Sequence, residues 1–238
     1  MSNDKLGLLR TSYGEVSYEI FRKEGYAFAD KSAVIEELEG KDITNYPVLL
    51  RPRRFGKSTF VQMLKCFYDI SYRDRYEEIF SKTNIYKKKL TSHNTYHVID
   101  FDFSGVSGDD KNTLIDSFII AVKRGITNFL SRYNDFVFEP SDIEKQTPSG
   151  FIRSFFDAYD LYPAKKSLYL MVDEYDNFAN SILSQDLELF KAITGSGGFL
   201  KDFYAAIKDG AKSVVAKTFI TGVSSVSLDS LTSGFNIS

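Results

Sequence analysis

Apolar residues recur along this chain in two rhythms. Val48-Leu49-Leu50 and Leu168-Tyr169-Leu170-Met171-Val172 are unbroken apolar runs, the pattern of parallel strands covered on both faces. Residues 96–103 alternate and are rich in β-formers, which predicts another strand, and residues 217–222 supply a further core strand. Between these runs the apolar positions fall three and four apart. That spacing predicts helices over residues 60–67, 72–84, 111–133, 151–159, 183–193 and Phe199–Gly210. Ahead of the first strand, residues 18–22 read as a short helix or strand, and residues 25–32 as an extended piece. A helix over Ala33–Leu38 follows, capped by Asp30 or Ser32 and stopped by Gly40. Residues 104–110 form a Gly/Ser/Asp loop, and residues 134–150, with Pro140 and Pro148, read as a connecting segment. The alternation of buried strands with helices predicts a three-layer α/β sandwich with a mostly parallel sheet. Residues 1–45 form an N-terminal segment packing on the core, and 46–238 the main domain.

Composition narrows the class without naming a function. The 238 residues are 43% hydrophobic and 26% charged, an ordinary globular mixture with room for one α/β domain. A net charge of -2 provides no bulk positive field for nucleic acid or acidic membranes. One cysteine, Cys66, excludes an internal disulfide framework, and it reads as a small core residue. Two histidines are too few for a histidine-based metal centre. Residues 1–10 lack the apolar region of a signal peptide, and no apolar run approaches the roughly 18 residues of a membrane span, so a cytoplasmic location is expected.

The candidate chemistry begins after Leu50. Strand, Gly56-Lys57-Ser58-Thr59 turn and helix together are the context of a phosphate-binding P-loop. The unpaired N–H groups of a helix start attract phosphate oxygens, and Gly56 has no side chain to block their approach. Lys57 is expected to reach the β- and γ-phosphates, the Ser58 hydroxyl to ligate Mg2+, and Thr59 to serve the α-phosphate. The usual pattern opens with glycine where this chain has Arg51. Arg51, Arg53 and Arg54 instead crowd three guanidinium groups beside a polyanion site. At least one, Arg54 first, is expected to point at the phosphates, and another to pair with an acidic residue.

A second motif supports the first. The strand ending in Asp173-Glu174 delivers two carboxylates at the C-terminal edge of the sheet, where open α/β sheets bind ligands. In this Walker B pattern Asp173 holds the Mg2+ hydration shell and Glu174 polarises the attacking water. Thr221 ends the 217–222 strand and reads either as a sensor of the γ-phosphate or as a turn cap. Asp100 and Asp102 share one strand face and read either as a metal pair or as strand-end carboxylates. Residues 87–89, three lysines, read as a solvated surface or a phosphate-backbone contact.

Four stretches resemble the AAA-ATPase-like family. They are Arg51-Pro52-Arg53-Arg54-Phe55-Gly56-Lys57-Ser58, Asp30-Lys31-Ser32, Val172-Asp173-Glu174-Tyr175-Asp176, and Thr221-Gly222-Val223-Ser224 with Leu231-Thr232-Ser233-Gly234-Phe235-Asn236. The resemblance runs from Tyr26 to the C-terminus and accounts for Arg51, since the family's own loop has arginine there. It implies a P-loop fold of the additional-strand catalytic-glutamate type. It also implies ATP and Mg2+ as cofactors and a nucleotide site over Arg51, Arg53, Arg54, Phe55, Gly56, Lys57, Ser58, Thr59 and Thr221. Many members continue into a nuclease-like domain of the PD-(D/E)XK superfamily, and this chain is expected to stop before one. The function expected is ATP binding with slow hydrolysis used as a conformational switch. The alternatives are a regulatory nucleotide-binding module without turnover, and the ATPase part of a nucleic-acid-processing protein. A protein partner or homo-oligomer fits the first reading, and nucleic acid enters only through local patches or an absent domain.

Overall fold

A computed structural model describes residues 17–26, 29–40, 45–139 and 147–225. The stretch at residues 231–236 and the leader-free reading of residues 1–10 therefore fall outside the described residues. In chain order the elements are α1 (Tyr18–Glu24), α2 (Ala33–Leu38), β1 (Val48–Leu50), α3 (Lys57–Tyr68), α4 (Tyr76–Phe80), β2 (His97–Asp102), α5 (Lys111–Arg132), α6 (Pro148–Asp160), β3 (Leu168–Asp173), α7 (Asn177–Leu183), α8 (Leu187–Thr194), α9 (Phe199–Gly210) and β4 (Val215–Gly222). The sheet is parallel throughout, in the order β1-β4-β3-β2. β4 is thus inserted between the strand that leads into the P-loop and the strand that ends in Asp173. The register levels the C-terminal ends: Leu50 faces Gly222, and Asp102 faces Asp173. No helix among the described residues is long and apolar enough to cross a membrane.

Strand periodicity divides the core into two layers. Leu168, Leu170 and Val172 point to one face with Ile99, Phe101 and Ile220, under Phe118 and Phe129 of α5, Phe155 of α6 and Phe203 of α9. Tyr169 and Met171 point to the other with Val98 and Phe219, under Tyr18 of α1, Phe60, Leu64 and Phe67 of α3 and Phe80 of α4. All six residues of β3 are buried, as its unbroken apolar run requires.

Three expected boundaries are corrected. The helix predicted over 151–159 starts at Pro148, because Thr147 caps it by accepting from the Gly150 N–H and proline suits the first helical position. Pro148 is therefore a helix start and not part of the connection. The stretch 183–193 is not one helix: Leu183 ends α7, and the Asp186 carboxylate, accepting from the Leu189 N–H, starts α8. Residues 72–84 likewise divide, into a 3-10 turn over Ile70–Arg75 capped by Asp69 and the short α4. The 18–22 stretch is helical, with Ser17 as its cap and Gly25 closing it in the left-handed region.

Candidate functional site

β1 feeds directly into the loop. The Arg51 N–H still donates to the Gly222 carbonyl (3.1 Å), after which the chain leaves the sheet. Arg54 (φ 67°) and Gly56 (φ 76°) then adopt left-handed backbone, so the tight turn that glycine usually supplies at the start of such loops falls here on Arg54. α3 begins at Lys57 with Gly56 at the cap position, which offers no side chain, and among the described residues no side-chain cap bonds the first N–H groups. A helix start without a side-chain cap keeps its donors for a ligand.

The Lys57 ammonium, almost fully buried, lies 3.1 Å from the Arg51 carbonyl, 3.4 Å from the Pro52 carbonyl and 3.4 Å from Glu174 Oε1. The two motifs found in the sequence thus meet in space. Ser58 and Thr59 are half-buried on the first turn of α3. Arg51, Arg53, Arg54 and Phe55 are exposed around the loop mouth. Arg51 donates to the Leu50 carbonyl (3.2 Å), and Arg53 donates to Asn177 Oδ1 (2.6 Å). The expected acidic partner for one of these arginines is corrected: among the described residues none of the three reaches a carboxylate, and Arg53 takes an amide oxygen instead.

At the end of β3, Asp173 is 8% exposed and accepts a hydrogen bond from the Thr221 hydroxyl of β4. Thr221 is itself fully buried. Glu174 follows in left-handed backbone (φ 56°), its N–H 3.4 Å from Thr221 Oγ1. A bulky residue held at positive φ stores of the order of 1–3 kcal/mol, and such strain gathers at functional sites. Asp176, fully buried, accepts from the Val223 N–H (3.0 Å), the Ser224 N–H (2.7 Å) and the Ser224 hydroxyl (3.1 Å). It ties the end of β3 to the turn after β4. Gly222 is required there, because a Cβ on it would meet the Tyr175 ring at 2.2 Å.

Three residues to which the sequence reading assigned no role belong to this assembly: Asp176, Asn177 and Lys31. Asn177 accepts from Arg53 and donates to the Ser104 carbonyl (3.0 Å), linking the P-loop to the ends of β3 and β2. The signal was the place of Lys31 and Asp176 inside short motifs, with Asn177 directly after one, although no spacing rule assigns their partners. Asp100 and Asp102 do not act together. Asp100 lies between Lys65 (2.8 Å) and Arg132 (3.1 Å). Burial raises its pKa, but these two cations outweigh that and hold the carboxyl below its usual range. A carboxylate already shared by two cations is a poor metal ligand, and Asp102 is turned to the Ser104 N–H instead (2.8 Å). Burial pushes the Cys66 thiol up to about 12, which makes it an inert core group. Lys88 of the 87–89 run is paired with Glu36 (2.9 Å).

A cavity of about 370 Å3 opens beside Gly56 between α1 and α3. Tyr18, Phe21, Phe60 and Met63 line it, together with Lys31, Arg54, Phe55 and Thr59. Its size and its apolar lining with a few polar groups are those of a small-molecule site.

Parallel sheet, inserted β4, uncapped α3 start and the Lys57–Glu174 meeting define a P-loop nucleotide-binding α/β sandwich. The chain belongs to the AAA-ATPase-like family, described as predicted AAA-ATPases, which matches residues 12–232. Nucleotide binding is therefore its function at the level of the family. No curated protein matches the chain.

Proposed function

We propose that this protein binds ATP with Mg2+ at the P-loop and hydrolyses it slowly, using turnover as a conformational switch. The observation that carries the reading is Lys57, a buried ammonium at an uncapped helix start, facing Glu174 at 3.4 Å. A cation is unfavourable at the positive end of a helix dipole, so the arrangement calls for an anion. In this reading the N–H groups at the start of α3 and the Lys57 ammonium bind the phosphate chain. Arg54, beside Gly56 at the cavity, adds a forked contact. The base occupies the cavity between α1 and α3, with Thr59 at its edge.

Ser58 and Asp173 are the oxygen donors that would hold Mg2+, and two donors suit an ion that otherwise binds water and phosphate oxygens. When bound, Mg2+ neutralises charge on the β- and γ-phosphates. Thr221 holds Asp173 by one oxygen, which favours a supporting role for it over direct contact with phosphate. Glu174, released from Lys57 when phosphate takes the ammonium, orients the attacking water and accepts its proton. Turnover is slow because a stabilising arginine from a neighbour can be worth ~10³–10⁵ in kcat. A second copy or a protein partner would supply it.

The second reading, a nucleotide-binding regulator without turnover, is favoured by the same Lys57–Glu174 pair, which occupies the base. Single-turnover hydrolysis separates the two. The parent is expected to convert bound ATP to ADP and Glu174→Gln to bind without converting it; an inert parent that still binds ATP would establish the regulator.

A further inference from the structure

The Asp30-Lys31-Ser32 triplet lies 24 residues before the loop it touches. Its outer two residues are anchors. Asp30 accepts from the Ser32 N–H (2.9 Å) and from the Asn84 N–H (2.9 Å), and Ser32, fully buried, accepts from the Ile85 N–H (3.1 Å). Burial raises the Asp30 pKa, but these hydrogen bonds outweigh that and hold the carboxyl below its usual range. Both anchors grip the short turn at residues 84–85, which fixes the backbone between them. Lys31 is exposed and projects from this fixed point onto the P-loop. Its ammonium donates to the Phe55 carbonyl (2.7 Å) and lies 3.2 Å from where a Cβ on Gly56 would stand.

That hydrogen bond has a consequence for the next amide. In a trans peptide the C=O and N–H point in opposite directions. Holding the Phe55 carbonyl on the Lys31 side therefore turns the Gly56 N–H away from Lys31. We propose that Lys31 is a positioning residue for nucleotide: it locks the Phe55–Gly56 peptide so that the Gly56 N–H faces the phosphate chain, and it adds its charge to the loop mouth. The inference rests on the ATP reading above and extends it to the N-terminal segment. The electrostatics agree. Arg51, Arg53, Arg54 and Lys31 surround the mouth, and among the described residues none of them is paired with a carboxylate. An excess of cations around one loop favours a polyanion.

The test is calorimetric titration of parent, Lys31→Ala and Lys31→Arg with adenosine, ADP and ATP, alongside melting temperatures without nucleotide. Lys31→Ala is expected to weaken ATP and ADP about tenfold or more and adenosine, whose base shares the cavity that Lys31 lines, several-fold less than that. Lys31→Arg should restore most of that loss, and all three proteins should melt alike. Equal loss for adenosine and ATP, or a lowered melting temperature, would make Lys31 a residue of the fold and overturn the inference. A double-mutant cycle with Asp30→Asn adds a check, because an anchor acting through Lys31 weakens ATP little further once Lys31 is gone. Parent-like ATP affinity in Lys31→Ala would overturn the Lys31 role alone, whereas a parent that bound no nucleotide would overturn the ATP reading with it.

Discussion

Lys57 stands where a helix tolerates a cation least, and among the described residues only Glu174 and two loop carbonyls offset it. Replacing it with alanine should weaken ATP by at least ~1.5–3 kcal/mol, the scale of a hydrogen bond to a charged group. Unchanged affinity in a calorimetric titration would reject the P-loop reading. Glu174→Gln keeps the size of the side chain but cannot take a proton. Hydrolysis is expected to fall ~10²–10⁴-fold with ATP affinity within a few-fold. Arg54 gives a prediction of opposite signs. It adopts left-handed backbone at φ 67°, which glycine occupies freely. Arg54→Gly should therefore raise stability in urea unfolding by about 1 kcal/mol, after the entropy that glycine adds to the unfolded chain. The same change should weaken ATP, because the guanidinium beside the cavity is lost. A variant that loses stability would show that Arg54 supports the loop by packing.

Between elements, a pH-sensitive contact is His97, where β2 meets α5 and α6. Its ring stacks on Tyr133 at 4.1 Å and bonds the Tyr159 hydroxyl at 2.6 Å. Burial depresses its pKa to about 4, with Asp69 and Asp135 pulling upward and Lys166 pushing down. The unfolded chain, with a histidine near its ordinary value of 6.5, binds more protons than the fold between those two limits. Stability contributed by neutral His97 is thus complete above pH 6.5 and falls as pH drops toward 4. Asp30, Glu39 and Asp100 also have lowered values, and their losses begin as pH falls to their ordinary values of 3.8 to 4.5 and continue below them. Urea midpoints should decline from pH 6.5 to 4 in the parent and stay flatter in His97→Phe; equal slopes would assign the decline elsewhere. Asp176 joins β3 to the turn after β4 in the same way. Asp176→Ala leaves the Val223 and Ser224 donors without their acceptor and should cost ~3 kcal/mol or more.

For the whole molecule, nucleotide and fold are coupled by mass action. At about 100 times its dissociation constant, ATP should add ~2.7 kcal/mol to stability. For a chain of this size that corresponds to a melting temperature higher by about 5–10 °C. The rise should vanish in Lys57→Ala, and a parent with no shift at saturating ATP would contradict binding to the folded state. Two sandwich halves meet at this site: α1, α3 and α4 on one face of the sheet, and α5, α6 and α9 on the other. Arg53 and Asn177 bridge the loop to the ends of β3 and β2, at the sheet edge that both faces share.

The local features of this protein were legible in its residues. Strand runs at Val48–Leu50 and Leu168–Asp173, the helical stripe after Gly56, and the paired Gly-Lys-Ser and Asp-Glu motifs each depend on neighbours a few positions away. Period and side-chain chemistry therefore sufficed to place them. Two boundaries missed at Pro148 and Asp186 were also local: Pro148 reads as part of a connection and Asp186 as the interior of one helix, while each stands at a helix start. The partners were not legible. Lys31 meets Phe55, and Arg53 meets Asn177 across 124 positions, only after the chain is folded. Thr221 bonds Asp173 because β4 enters the sheet between β1 and β3, a strand order that no single segment encodes. Asp100 has the sequence appearance of a free strand carboxylate, yet Lys65 of α3 and Arg132 of α5 enclose it. Local pattern decides which groups the chain carries to the sheet edge. Strand order and register decide which of them come within hydrogen-bond reach, because those distances exist only between segments remote in sequence.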